Sequence, residues 1–264
     1  MPATLVISGP LLSVLAFAWA GHLFRYFVMA GTTDLVFYRL LPEWIQKGRR
    51  IGSRRASWAD FKREALYSIQ TTAIFAVIAV FVVWGSRQGF MKLYTDFDSR
   101  GAGYFWASLA GIFVFHDFFF YWIHRLMHVP GVYERVHLVH HKSVSPTPWT
   151  SFSFHPLESL LESLPVVVYL AVVPMHAKAL LLFQFLSMAA NIYAHFGQEW
   201  TPPWLERVFP FRYVLRSIDH HYHHDRFTGN YGFYFRIWDR IWGTYVQPEK
   251  AGLNAKARVS SSSF

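Results

Sequence analysis

The chain has 264 residues, 53% of them apolar, 19% aromatic and 16% charged, with a net charge of +9 and no cysteine. A soluble domain carries roughly a quarter charged residues, so this balance indicates an integral membrane protein. The missing cysteine excludes disulfides, thiolate ligands, iron–sulfur clusters and cysteine nucleophiles, and leaves any metal to nitrogen and oxygen donors. The basic residues flank apolar stretches and do not stripe a polar domain, which sets nucleic acid aside as a partner.

A helix crossing a hydrocarbon core about 30 Å thick needs roughly 20 apolar residues. The first such stretch predicts a span over 3–30, interrupted by His22 and Arg25. It lacks a basic n-region and a small-residue cleavage site, so it reads as a retained span and not a signal peptide. Residues 47–63 follow, with Lys47, Arg49, Arg50, Arg54, Arg55, Lys62 and Arg63. The positive-inside rule puts that loop in the cytoplasm. Further spans are predicted over 67–84, 104–123, 157–173 and 179–194, the last two separated only by a turn at 174–178 and so forming a helical hairpin. The expected fold is an all-α integral membrane protein with four to five transmembrane helices and a cytoplasmic, histidine-rich helical cap. Residues 197–264 predict amphipathic and irregular structure packed under the membrane helices, with a frayed tail from Lys250.

Histidine is the commonest protein metal ligand, and here it is clustered. HRLMH supplies His124 and His128; HLVHH supplies His137, His140 and His141; HHYHH supplies His220, His221, His223 and His224. Spacings of three and four put side chains on one helical face, and His221 falls off that face. His195 ends the last apolar helix, with Asn191 one turn before it. An even number of crossings separates the clusters, so the topology lets all of them meet on the cytoplasmic side. Zinc normally closes at four ligands, so this much imidazole implies more than one ion. The carboxylate-rich di-iron type needs two Glu-x-x-His motifs, and here that spacing occurs once, at Glu134 and His137. His22, His116 and His176 read as hydrogen-bonded interface residues, and the run 118–122 as packing and interface belt.

The three boxes resemble those of the membrane fatty acid hydroxylase and sterol desaturase superfamily. Asp117 with YWIHR at 121–125, SPTPWTSFSFHPLES at 145–159 and GNYGFYFRIWDRIWGTY at 229–245 extend the likeness. RYFVMAG at 25–31, ESLP at 162–165 and PMH at 174–176 look most like the sterol C-5 desaturase branch. The resemblance implies a catalytic domain over 101–250, preceded by N-terminal membrane helices with a basic cytoplasmic loop over 1–100 and followed by a flexible tail over 251–264. It implies nine ligands to two iron ions, for which zinc can substitute, at His124, His128, His137, His140, His141, His195, His220, His223 and His224. O2 is the implied co-substrate, a membrane lipid the substrate, and a separate ferredoxin or cytochrome-b-type protein the electron donor. The implied location is the inner membrane of a bacterium or the endoplasmic reticulum of a eukaryote. Asn191 stands where some hydroxylases have histidine, which speaks against the fatty acid 2-hydroxylase branch.

Asp117, Asp219 and Asp239 each have two readings: acceptor for a ligand's second ring N–H, or a local cap or arginine partner, as for Asp239 with Arg236 or Arg240. The product is a sterol-type desaturation in one reading and hydroxylation of a fatty acyl chain, or sterol C-4 methyl oxidation, in the other. A metal transporter would place its ligands at the bilayer midplane, and a zinc hydrolase would carry a carboxylate base inside its box; HRLMH has none.

Overall fold

The computed structural model describes residues 9–52 and 55–248. The expected tail from Lys250, Arg54 and the first residues of the first span lie outside them. Helix α1, Leu11–Asp34, continues through a π-helical turn at Leu35–Leu40. The apolar helix therefore runs ten residues past the expected end at Ala30. It stops at Leu41, which is extended (ψ 138°) because Pro42 follows. A short helix α2, Glu43–Arg49, leads to α3, Trp58–Gln88.

Helix α3 begins earlier than its apolar residues do. Ser57 and Asp60 form a reciprocal cap, Asp60 N donating to Ser57 Oγ (3.2 Å) and Ser57 N to Asp60 Oδ2 (2.9 Å). It ends at Gly89, whose φ of +87° suits a residue without Cβ. At about 1.5 Å per residue such a helix exceeds the bilayer core, so its first turns, with Lys62 and Arg63, stand outside.

Helix α4 is Gly101–Met127, and α7, Pro156–Val172, forms a hairpin with α8, Ala177–Ala194. The far end of the hairpin is tied by a two-residue parallel ladder, β1 (Leu93–Tyr94) with β2 (Met175–His176). The helices Leu11–Leu40, Trp58–Gln88, Gly101–Met127 and Ala177–Ala194 are long and apolar enough to cross a membrane. Helix α7 has 17 residues and packs between α3 and α4. The main core joins α4, α7 and α8 through Ile112, Leu170 and Phe183, and a second cluster joins Tyr26 and Ala30 to Phe152, Met188 and Ile192.

Among the described residues the remaining elements are short: α5 (Tyr133–Val136), α6 (Leu138–His141), α9 (Ser217–Arg226), α10 (Ile237–Ile241) and three 3-10 turns. They do not simply lie beneath the helices as expected. Phe233 and Tyr234 enter the main core itself. They are drawn there by Asp117 of α4, whose Oδ1 accepts Phe233 N (3.1 Å) and Tyr234 N (2.6 Å).

Candidate metal centre

All nine histidines singled out by the sequence converge, and they divide into two groups. His124, His128, His137, His141 and His223 form one; His140, His195, His220 and His224 form the other. Within each group the candidate ligand atoms lie within 4.8 Å of one another. Eight of the nine are buried and His128 keeps partial exposure.

Several elements deliver them. The last turn of α4 carries His124, and His128 sits just past its end. His137 lies at the break between α5 and α6, not within a continuous helix as the i, i+3, i+4 spacing predicts. His195 caps the end of α8, and α9 carries the third box. The boxes do not map onto the groups: His140 and His141 part company, and so do His223 and His224.

The contacts orient the rings. Tyr231 O accepts His124 Nδ1 (2.9 Å), Asn191 O accepts His195 Nδ1 (2.8 Å) and Gly229 O accepts His223 Nδ1 (2.7 Å). A carbonyl only accepts, so these Nδ1 atoms carry the proton and each Nε2 turns its lone pair inward. Nε2 atoms then face each other at 3.1 Å (His124–His137), 3.1 Å (His128–His223), 3.2 Å (His141–His223), 3.1 Å (His140–His195), 3.0 Å (His195–His220) and 3.2 Å (His220–His224). Two nitrogens held by one ion at about 2.0–2.1 Å lie roughly 2.8–3.4 Å apart for angles from a right angle to tetrahedral. Lone pairs at this spacing repel unless a cation stands between them, so the donor set fits two metal ions bound by nitrogen. Burial first, and neighbouring imidazoles second, push His137, His140, His141, His220, His223 and His224 well below the ordinary imidazole value of 6.5, which keeps them neutral donors.

Of the expected second-ring acceptors, none of the three aspartates holds an imidazole. Asp219 takes Arg216 (Nη2–Oδ1 2.9 Å) and Arg236 (Nη1–Oδ2 3.3 Å) and caps α9 through Arg216 N. Asp239 takes Tyr231 N and Gly232 N (both 2.8 Å) and Thr244 Oγ1 (2.7 Å), not an arginine. Asp117 takes the two backbone amides described above. Fixed guanidinium and amide donors lie nearer to these carboxylates than any ring, and a buried carboxylate binds what saturates it. Asn191 does hold His195, but through its backbone carbonyl; its side-chain Nδ2 donates to Ser151 O (2.7 Å).

The sequence reading missed Glu158. Fully buried, it places Oε1 2.7 Å from His137 Nδ1. The available signal was a carboxyl in an apolar helix beside a membrane, a costly placement that marks function. Outside the groups, His221 is buried with neither ring nitrogen bonded and lines a separate cavity of about 480 Å³ with Glu64, Ser145 and Arg50. His22 contacts Arg25 (2.7 Å) and His176 reaches Thr95 O (2.9 Å), as interface histidines should. His116 instead sits among Phe120, Phe183 and Tyr234 with Nδ1 unbonded.

Gly229 presents the carbonyl for His223. Its φ is +69°, and a Cβ there would stand 2.7 Å from Thr244 O and 2.9 Å from Val246 Cγ2. Gly229→Ala should add about 1–2 kcal/mol of backbone strain and displace that carbonyl, so metal content and melting temperature should both fall. Gly243→Ala, at φ +68° with open space around it, should lower melting temperature alone.

A family description, "Fatty acid hydroxylase", matches residues 109–244. The chain is similar to Delta(7)-sterol 5(6)-desaturase ERG3B of Gibberella zeae, 32% identical over 89% of this chain and 69% of that protein. It is similar also to lathosterol oxidase of Homo sapiens, 34% identical over 71% of this chain and 62% of that one, and to its Mus musculus counterpart, 34% identical over 70% and 61%. The chain thus spans between three fifths and seven tenths of these curated relatives. No solved structure matches it.

Proposed function

The chain belongs to the fatty acid hydroxylase family, and from that premise we propose that it is an O2-dependent, di-iron oxidoreductase of the membrane that desaturates a sterol-like lipid. The observation that carries the reading is the nitrogen-only, five-plus-four arrangement of mostly buried imidazoles gathered beside the ends of α4 and α8. Iron at these sites would supply the one-electron chemistry with O2 that an unactivated C–H bond requires and zinc lacks. The residues present hold the two sites, keep them dry and set ring orientation. No carboxylate belongs to either group among the described residues, which agrees with a reaction that needs no protein base at the reacting carbon.

Desaturation removes two hydrogens from the lipid and reduces O2 to two waters, so two electrons and two protons come from outside. A separate donor protein supplies the electrons. Exposed Arg125 lies within the first box, and exposed Arg135 and Lys142 flank the second, a surface suited to an acidic partner. The basic residues of 47–63 support a cytoplasmic setting for this end of the molecule.

The reading is tested by lipid mass spectrometry on sterol-fed cells with and without the chain. Loss of two hydrogens from a sterol is the expected result. Gain of one oxygen would replace desaturation by hydroxylation, and an unchanged lipid profile with zinc-dependent hydrolysis would overturn the oxidoreductase.

A further inference from the structure

Between α8 and α9 the chain runs RVFPFR over residues 207–212, and every one of these six residues is exposed. Phe209 is 76% exposed, Phe211 49%, and Trp204 on the preceding turn 62%. A contiguous apolar surface of this kind on a folded chain marks an interaction site. Arg207 and Arg212 bracket it, and Arg212 and Arg240 lie over the Tyr213 ring at 5.1 and 5.9 Å.

The depth of this segment identifies what it meets. Val214 bridges Phe235, Leu215 N donates to Tyr234 O (2.8 Å) and Arg236 N to Tyr213 O (2.8 Å), so the segment runs beside residues 233–236. Those residues are anchored inside the helical bundle: Phe233 and Tyr234 on Asp117 of α4, and Tyr234 Oη on Ser187 of α8 (2.8 Å). Asp117 lies about 15 Å from the histidine end of α4, and Ser187 about 10 Å from that of α8, at 1.5 Å per residue. Helix α4 is about 40 Å long, so even if all its excess over a 30 Å core projects at the histidine end, Asp117 is still roughly 5 Å below the hydrocarbon boundary. An independent feature agrees. Trp242, just past α10, stacks on Tyr121 (5.0 Å) and meets Trp122 edge-on (4.9 Å), while Ile241 and Trp122 are exposed, the composition of an aromatic belt at a membrane interface.

We propose that residues 204–214 insert into the lipid leaflet on the histidine side, with Val208, Phe209, Pro210 and Phe211 among the acyl chains and Arg207 and Arg212 at the lipid phosphates. Roughly 5–10 Å below the headgroups is the depth at which monotopic apolar faces lie, and arginines flanking such a face reach back to the interface. The insertion ties α9, which starts at Ser217 and carries the third histidine box, to the membrane surface. It does not depend on which reaction the centre performs.

The absence of cysteine makes the test direct. Single variants Phe209→Cys and Phe211→Cys, spin-labelled and reconstituted in phosphatidylcholine–phosphatidylglycerol vesicles, are compared with Phe17→Cys on the exposed face of α1 and Lys47→Cys on α2. The expected ratio of O2 accessibility to water-soluble nickel-chelate accessibility at 209 and 211 is close to that at 17 and several-fold above that at 47. A ratio like that at 47 places the segment in water. A label reached by neither reagent places it against protein, as would cross-linking of two chains through the thiol of the Phe209→Cys variant. Each of these overturns the proposal.

Discussion

His140→Ala should abolish lipid oxidation and empty one metal site, while His223→Ala should abolish oxidation but retain a larger share of bound metal. The difference follows from the two groups. His140 is one of four, its Nε2 3.1 Å from that of His195, and its loss leaves three nitrogens. His223 is one of five, with Nε2 3.1 Å from that of His128 and 3.2 Å from that of His141, and its loss leaves four, the number at which structural sites ordinarily close. Metal analysis of purified protein together with turnover reads both effects. The wild type should carry about two ions per chain; turnover retained in either variant would refute the assignment of ligands. Because a ligand that binds only the folded state stabilises it by about 2.7 kcal/mol at a hundredfold excess over its Kd, chelation should also lower the melting temperature of the wild type more than that of either variant.

Glu158→Ala comes second in expected size. Glu158 touches an imidazole of the centre, its Oε1 2.7 Å from His137 Nδ1. Removing it leaves a buried N–H without an acceptor and frees the ring to rotate, and loss of such a partner typically costs 10–100-fold in metal affinity or activity. Glu158→Gln keeps an acceptor oxygen at the same reach and should recover most of the loss. Competition with a graded chelator measures the affinity apart from turnover. An alanine variant with wild-type metal affinity would mean that His137 is oriented by its packing alone.

The histidine boxes and the helical spans were legible because both are local patterns. Apolar runs of sufficient length announce membrane helices whatever surrounds them, and spacings of three and four announce a shared face. The start of α3 was less legible, because its first turns are polar and rest on the Ser57–Asp60 cap. The end of α1 was misplaced because Pro42, not the loss of apolar residues, terminates it.

The partition of the site was not legible at all. A spacing of i, i+3, i+4 says that His137, His140 and His141 point one way; it does not say that His140 joins His195 and His220 while its neighbours join His124. That depends on how α6 and α9 cross, which no local pattern encodes. The aspartates serve other donors. Asp219 was a plausible imidazole partner by proximity in sequence, but Arg216, three residues before it, holds both its oxygens, and Arg236, distant in the chain, adds a further contact. The acceptors actually used are mostly backbone carbonyls, those of Tyr231, Gly229 and Asn191, and a carbonyl has no signature in the sequence beyond the glycine that lets it approach.

Composition and residue spacing by themselves determined a helical membrane protein with nitrogen-rich histidine clusters, because apolar length and imidazole count are properties of the chain. Only the tertiary structure decided which imidazoles gather in each group, that Glu158 and three carbonyls orient some of them, and that the segment before α9 runs beside residues anchored within the helical bundle. Those facts arise where elements far apart in sequence pack together, and packing is settled by the whole set of neighbours at once.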